Sequence, residues 1–109
     1  SPPADITVQE GDRISVGNIV FQVIATPGHS PGSMCLLGEG LVFTGDTLFV
    51  GAIGRTDLPG GSWSTMARSL RDKLSVLPDE TRVLPGHNYG AAPTSTIGYE
   101  KRHNPYLKF

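Results

Sequence analysis

Several features are scarce in this chain of 109 residues, and each scarcity excludes a class of protein. Cys35 is the only cysteine, so no disulfide can form within the chain. Charged residues make up only 17% of the sequence and the formal net charge is −1. No basic cluster marks a nucleic-acid or lipid surface, and no apolar run is long enough to span a bilayer. The residues at the N-terminus also lack the basic and hydrophobic regions of a signal peptide, so we predict a cytoplasmic protein that binds neither nucleic acid nor membrane.

Glycine and proline, by contrast, are plentiful, with 14 and 9 residues. They concentrate in loops that follow apolar runs predicted to be strands. The run Ile19–Ala25 leads into a Pro-Gly loop that carries His29. The run Leu41–Thr44 leads into Gly45 and Asp46, and the run Arg82–Leu84 leads into a second Pro-Gly loop that carries His87. These side chains are of the kinds that zinc or iron accepts as ligands.

Each of these candidate ligands directly follows a glycine, namely Gly28, Gly45 or Gly86. A glycine at such a position permits a positive φ or a close approach of the backbone, and both help loops converge on one ion. A lone turn histidine is usually structural, but three loops built alike are hard to attribute to chance. We therefore predict that His29, Asp46 and His87 form one metal site.

The remaining patterns predict an α+β fold, with an antiparallel sheet followed by two helices. Alternating residues at Asp5–Val8 and Arg13–Val16 indicate a hairpin, and glycine turns separate the later strands. After Ser62, apolar residues recur at helical spacing, and this stripe is expected to cover the sheet. Its members are Trp63, Met66, Ala67, Leu70 and Leu74. A shorter helix is predicted from Thr96 to His103, and Cys35 is expected to be a buried, unreactive thiol.

The segment between Asp46 and the first helix is apolar and rich in glycine, from Leu48 to Gly54. Such a loop can fold over a pocket and form an apolar wall. Arg55 and Asp57 follow it. They form either a local ion pair that pins the loop or a second layer of contacts that orients the metal ligands.

Four motifs in this order resemble the later metal-site motifs of the metallo-β-lactamase superfamily: Thr-Pro-Gly-His-Ser-Pro-Gly, Gly-Asp-Thr-Leu-Phe, Gly-Arg-Thr-Asp and Pro-Gly-His-Asn. The most similar branch comprises the glyoxalase II-like hydrolases and the persulfide dioxygenases, and the resemblance extends through the tail 95–105. It favours the orienting role for Arg55 and Asp57. It also implies that this chain is part of an αββα sandwich.

One family motif is missing, because no His-x-His-x-Asp-His cluster is present among the three histidines His29, His87 and His103. We therefore predict that residues 1–109 are the C-terminal half of a single domain from a longer parent protein. The isolated chain is then expected to be inactive, and its metal site could be empty. An apolar sheet face is expected to bind the missing half or a second copy of the chain. It is predicted to include Phe21, Val23, Leu36 and Val42, or their neighbours on the opposite strand faces.

For the parent protein, the resemblance implies a hydrolase of thioester-type substrates with two zinc ions. His29 would bind the first ion, the catalytic Asp46 would bridge both, and His87 would bind the second. Such ions lower the pKa of bound water and polarise a carbonyl group. Tyr89 and Lys101 are candidates for binding the polar end of the substrate.

Two alternatives stay open at this point. In the first, a persulfide dioxygenase, a single iron is held by two histidines and one carboxylate, and His87 is spare. In the second, the chain is a metal-free structural half-domain.

Overall fold

The computed structural model describes residues 9–86 and 93–109. The predicted strand at Asp5–Val8 lies outside these residues. Within them, turns at residues 17–18 and 39–40 each join two neighbouring strands. The elements in chain order are β1 (Arg13–Val16), β2 (Ile19–Ala25), β3 (Met34–Gly38), β4 (Leu41–Gly45), β5 (Leu48–Phe49), β6 (Ala52–Ile53), α1 (Trp63–Ser69), β7 (Arg82–Pro85), β8 (Ser95–Thr96) and α2 (Ile97–His103).

The main sheet has six strands in the order β1-β2-β3-β4-β7-β8. The first four strands pair in antiparallel fashion, as predicted. The expectation of a wholly antiparallel sheet is wrong at β7, which pairs with β4 in parallel. The cause is that α1 and the π-helical turn after it, Leu70–Leu74, lie between β4 and β7 in the chain. A connection of this length returns the chain to the starting end of β4, which a short hairpin cannot do.

The core lies between one face of this sheet and the helices. Ile24, Cys35, Val42 and Val83 form the sheet side of the core. Met66, Leu70, Leu74, Ile97 and Leu107 belong to the same buried cluster. Burial raises the pKa of the Cys35 thiol to about 11, although the hydroxyls of Thr26 and Thr47 oppose the shift. The prediction of a buried, unreactive cysteine is therefore confirmed.

The predicted apolar stripe of the first helix is correct except at its start. Met66, Leu70 and Leu74 are fully buried, whereas Trp63 is 48% exposed. Trp63 instead stacks edge-on against Tyr106, with ring centroids 5.8 Å apart. Ser62 caps the helix as predicted, and its hydroxyl accepts a hydrogen bond from the Thr65 N–H.

The second helix agrees with the prediction at both ends. The Thr96 hydroxyl accepts a hydrogen bond from the Tyr99 N–H at the start, and Asn104 follows the last helical residue. His103 is exposed and packs on the Tyr99 ring, as expected for a surface histidine. None of the helices in the described ranges is long and apolar enough to cross a bilayer. A cytoplasmic location stays a prediction.

The second face of the sheet is less exposed than predicted. Val42 belongs to the helix-covered core. On the other face, Phe21 and Val23 are buried and Leu36 is half-buried. Phe43 remains 40% exposed on this face, and its ring packs edge-on against Phe21 at 5.5 Å.

Candidate metal centre

The candidate ligands follow strands that point in the same direction. β3 is antiparallel to both β2 and β4, and β7 is parallel to β4. The C-terminal ends of β2, β4 and β7 therefore lie at the same end of the sheet. His29 lies in the loop after β2, and Asp46 directly follows β4. His87 follows β7 by two positions and, like Tyr89, lies outside the described residues.

The structure brings His29 and Asp46 together at this end of the sheet. The Nε2 atom of His29 lies 3.9 Å from Oδ2 of Asp46, and the two side chains are 30% and 48% exposed. This separation is too long for a hydrogen bond. It is the separation that two ligands of one ion have, because atoms at about 2.1 Å from an ion lie roughly 3.4 to 4.2 Å apart for tetrahedral to opposite positions.

A main-chain carbonyl fixes the orientation of the His29 ring. The Nδ1 atom lies 2.8 Å from the carbonyl oxygen of Arg55. A carbonyl oxygen can only accept, so Nδ1 carries the hydrogen and donates it. In the neutral ring Nε2 then keeps its lone pair, on the side that faces Asp46. The histidine is therefore held in the tautomer that a metal ligand requires.

Close contacts at glycines hold the loops in place. Gly28 has φ of 144°, and a Cβ there would lie 2.4 Å from Cα of Met66 in α1. Gly45 has φ of 51°, and a Cβ on Gly86 would lie 3.1 Å from the Gly45 backbone. The predicted roles of these glycines, positive φ or close backbone approach, are therefore confirmed.

Gly54 is a site residue that the sequence interpretation missed. A Cβ on Gly54 would lie 1.9 Å from the Asp46 carbonyl oxygen and 3.1 Å from Nδ1 of His29. The Gly54 N–H also donates to the Thr47 carbonyl at 3.2 Å. The backbone after β6 thus lies directly against Asp46 and His29, with no room for a side chain at Gly54. The only signal in the sequence was the glycine that ends the apolar segment 48–54.

The predicted apolar wall is present. A pocket of about 420 Å³ opens over the candidate ligands. Phe49, Ala52 and Ile53, from the hairpin of β5 and β6, line it together with His29, Asp46, Gly54 and Arg55. The hairpin places apolar side chains beside the polar candidate ligands, and this is the usual composition of a small-molecule site.

The other predicted site residues lie in different surroundings. The side chains of Arg55 and Asp57 pair with each other at 3.0 Å and are 65% and 70% exposed. The Arg55 guanidinium lowers the pKa of the Asp57 carboxyl, and the carboxyl raises the pKa of Arg55 in return. Arg55 therefore orients His29 through its main chain, while its side chain makes the local ion pair. The predicted ion pair of Arg55 and Asp57 is thus present, whereas the orienting of metal ligands by these two residues stays a prediction.

Lys101 is not brought to this site. Its ammonium group pairs with Asp79 at 2.9 Å. Asp79 precedes β7, whose opposite end lies at the candidate ligands. The structure therefore gives no support to a substrate-binding role for Lys101.

The donor set fits a metal ion as far as the structure describes it. Within residues 9–86 and 93–109, no group of three His, Cys, Asp or Glu side chains could hold an ion. His29 and Asp46 nevertheless supply an imidazole lone pair and a carboxylate at a spacing that one ion can bridge. Zinc and iron both accept such ligands.

Comparison with known proteins decides the family. The model of the metallo-beta-lactamase superfamily matches residues 1–87. The chain belongs to the metallo-β-lactamase superfamily. The resemblance carried by the motifs is thus confirmed, and so is the α+β fold of this superfamily.

Relatives of this superfamily member have more than one activity. This chain is 41% identical to the hydroxyacylglutathione hydrolase GloC of Haemophilus influenzae, over 91% of this chain and 46% of the relative. It is 35% identical to the mitochondrial persulfide dioxygenase ETHE1 of Homo sapiens, over 95% of this chain and 42% of the relative. The chain spans about half the length of the curated relatives that it matches.

Solved structures of the superfamily show the same fold. The crystal structure of ETHE1 from Myxococcus xanthus superposes with a TM-score of 0.90 at 48% identity, over 96% of this chain and 47% of that one. TTHA1623 in a di-iron-bound form gives a TM-score of 0.82 at 44% identity, over 97% of this chain and 50% of that one.

Proposed function

We propose that the parent protein of this chain is a metal-dependent hydrolase of thioester-type substrates, similar to hydroxyacylglutathione hydrolases. The observation that carries the proposal is the His29 ring, whose Nδ1–H is bound by the Arg55 carbonyl while Nε2 faces Asp46 in an apolar-walled pocket. The similarity to the GloC hydrolase supports the choice of reaction.

Each residue has a defined part in this proposal. His29 and Asp46 would hold a pair of zinc ions together with His87 and ligands from the missing half. The ions would lower the pKa of a water molecule and polarise the thioester carbonyl. Phe49 and Ile53 would pack against the apolar part of the substrate and keep bulk water away from it.

The test uses the full-length parent protein. Metal content is measured together with turnover of a thioester and of a persulfide. Asp46→Asn is expected to reduce thioester hydrolysis at least about 100-fold, because the ligand charge is lost. Asp72→Asn is the matched control, since Asp72 is exposed and its carboxylate pairs with the Arg71 guanidinium. Persulfide turnover without thioester hydrolysis would contradict the hydrolase proposal.

The second candidate is a persulfide dioxygenase with one iron. It is supported by the similarity to the human persulfide dioxygenase and to the structure of ETHE1 from Myxococcus xanthus. His29 and Asp46 would be ligands here too, and His87 would not be needed. Both metals suit the donor set, so metal analysis and the two assays together distinguish the candidates.

The isolated 109-residue chain is proposed to be inactive, because the ligands of the missing half are absent. The fragment is therefore expected to hydrolyse thioesters no faster than background. Zinc-dependent turnover by the purified fragment, abolished by Asp46→Ala, would show that this half carries a complete site.

A further inference from the structure

A buried polar pair, Glu100 in α2 and Asn104 directly after it, lies outside the candidate metal centre. Glu100 and Asn104 are both fully buried, although each carries a polar side chain. One carboxylate oxygen of Glu100 accepts hydrogen bonds from the Asn104 amide at 2.8 Å and from the Gly51 N–H at 2.9 Å. The other accepts from the Ser95 hydroxyl at 2.7 Å. Buried polar groups are costly unless paired, so this pair has a stringent geometry.

The pair binds the backbone of the β5–β6 hairpin. Besides Glu100, the Asn104 amide nitrogen donates to the Ala52 carbonyl at 3.1 Å and lies 3.5 Å from the Phe49 carbonyl. With the Glu100 bond to Gly51, the helix thus contacts both strands of the hairpin and its turn. A two-residue strand pair is too short to be stable alone, so these bonds from α2 hold it in place.

The same hairpin leads directly to the ligands. Ala52 and Ile53 form β6. Gly54 follows, and its backbone lies directly against Asp46 and His29. The Arg55 carbonyl then accepts the hydrogen bond from the His29 Nδ1–H. Only two residues separate Ala52, held by Asn104, from Arg55, which holds His29. A displacement of the hairpin would therefore move the acceptor that fixes the histidine tautomer.

We propose that Glu100 and Asn104 are positioning residues that fix the orientation of His29 through the β5–β6 hairpin. The role of His29 as a ligand rests on the proposed function, whereas the orientation of its ring does not. The two residues act on the ring through Ala52 and Arg55 and do not touch the substrate. They account for part of the tail 95–105, to which the metal site assigned no task.

Four variants of the full-length parent protein separate the contributions. Asn104→Asp has the same shape but places an oxygen opposite the Ala52 carbonyl and the Glu100 carboxylate. Glu100→Ala removes the acceptor of the Gly51 N–H. Glu100→Gln keeps an oxygen for Gly51 and Asn104, so it is the conservative variant. Arg102→Ala, on the exposed side of the same helix, is the control.

The first readout is the tautomer of His29 in the metal-free protein, measured by NMR on ¹⁵N-histidine-labelled samples and assigned with His29→Gln. Wild type, Glu100→Gln and Arg102→Ala are expected to show the Nδ1–H tautomer. Asn104→Asp and Glu100→Ala are expected to show a mixture with the Nε2–H tautomer. A purely structural role would change the unfolding temperature without changing the tautomer of the folded protein.

The second readout is zinc affinity, which is expected to fall about 10- to 100-fold in Asn104→Asp and Glu100→Ala, as for other residues that orient ligands. Folded Asn104→Asp protein with the wild-type tautomer and zinc affinity would overturn the inference. If Asn104→Asp and Glu100→Ala do not fold, Ser95→Ala decides, since it removes one bond to Glu100. A smaller loss in the same direction supports the inference, and no change overturns it. A wild type that binds no zinc would count against the proposed function alone, because the tautomer still tests this inference.

Discussion

The Nδ1 atom of His29 and the carbonyl oxygen of Arg55 lie 2.8 Å apart, although the two residues are 26 positions apart in the chain. The contact determines which nitrogen of the ring can bind a metal. The acceptor is a main-chain carbonyl, so a substitution of the Arg55 side chain does not remove it. A substitution that shifts the backbone at Arg55 would break the hydrogen bond.

Gly54→Ala is expected to disrupt the site in the parent protein. The added methyl group would lie 1.9 Å from the Asp46 carbonyl oxygen, so either Asp46 or the hairpin must shift. Misplacement of a catalytic group by about 1 Å can cost on the order of 100-fold in rate. The measurement is thioester turnover together with metal content. Gly32→Ala is the control, since a Cβ there meets nothing within 4 Å, and equal activity of the two variants would contradict the prediction.

Arg55→Ala is expected to leave metal affinity and turnover within about twofold of wild type. The side chain is exposed and pairs with Asp57, and exposed ion pairs contribute little. The carbonyl that holds His29 remains in the variant. Isothermal titration with zinc and a kinetic assay check this, with His29→Gln as the damaging comparison. A large loss in Arg55→Ala would mean that the guanidinium itself contacts substrate or ligands.

Cys35 is expected to make the stability depend on pH in the alkaline range. Burial raises the pKa of its thiol from the ordinary value of 9.0 to about 11. The unfolded state therefore ionises first, and the stabilisation present below pH 9 is lost as the pH rises through 11. The size of this stabilisation is on the order of 3 kcal/mol. Urea unfolding between pH 8 and 11 measures the slope, which should be shallower in Cys35→Ala.

The sheet face that carries Leu36 and Phe43 is proposed to bind the missing half of the parent domain. The chain spans about half of its relatives, and 40% of the Phe43 side chain is exposed on this face. Co-expression of the two halves should give a stable complex, and Phe43→Ser should weaken it. Val76→Ser is the control, because Val76 is 68% exposed at a position after the helical segment. Sedimentation of the isolated chain as a compact monomer, with no affinity for the other half, would contradict the proposal.

The sequence by itself determined the candidate ligands that the structure describes. A strand run followed by a glycine and a ligand residue is a local signal, because strand periodicity and turn chemistry depend on neighbouring residues. His29 and Asp46 therefore could be found without coordinates. The same locality explains why Ser62 was interpreted correctly as a helix cap and Cys35 as a core residue.

Only the tertiary structure decided what holds those ligands in place. The parallel pairing of β7, the contact of Gly54 with Asp46, and the bond from His29 to the Arg55 carbonyl join residues that are distant in sequence or act through the main chain. Neither kind of contact leaves a pattern in side-chain types. Glu100 and Asn104 were only weakly indicated by the sequence, because they are polar residues at helical spacing from the buried Ile97. Their partner, the backbone of the β5–β6 hairpin, became visible only when the chain was folded, because carbonyl and N–H groups are the same at every residue but proline.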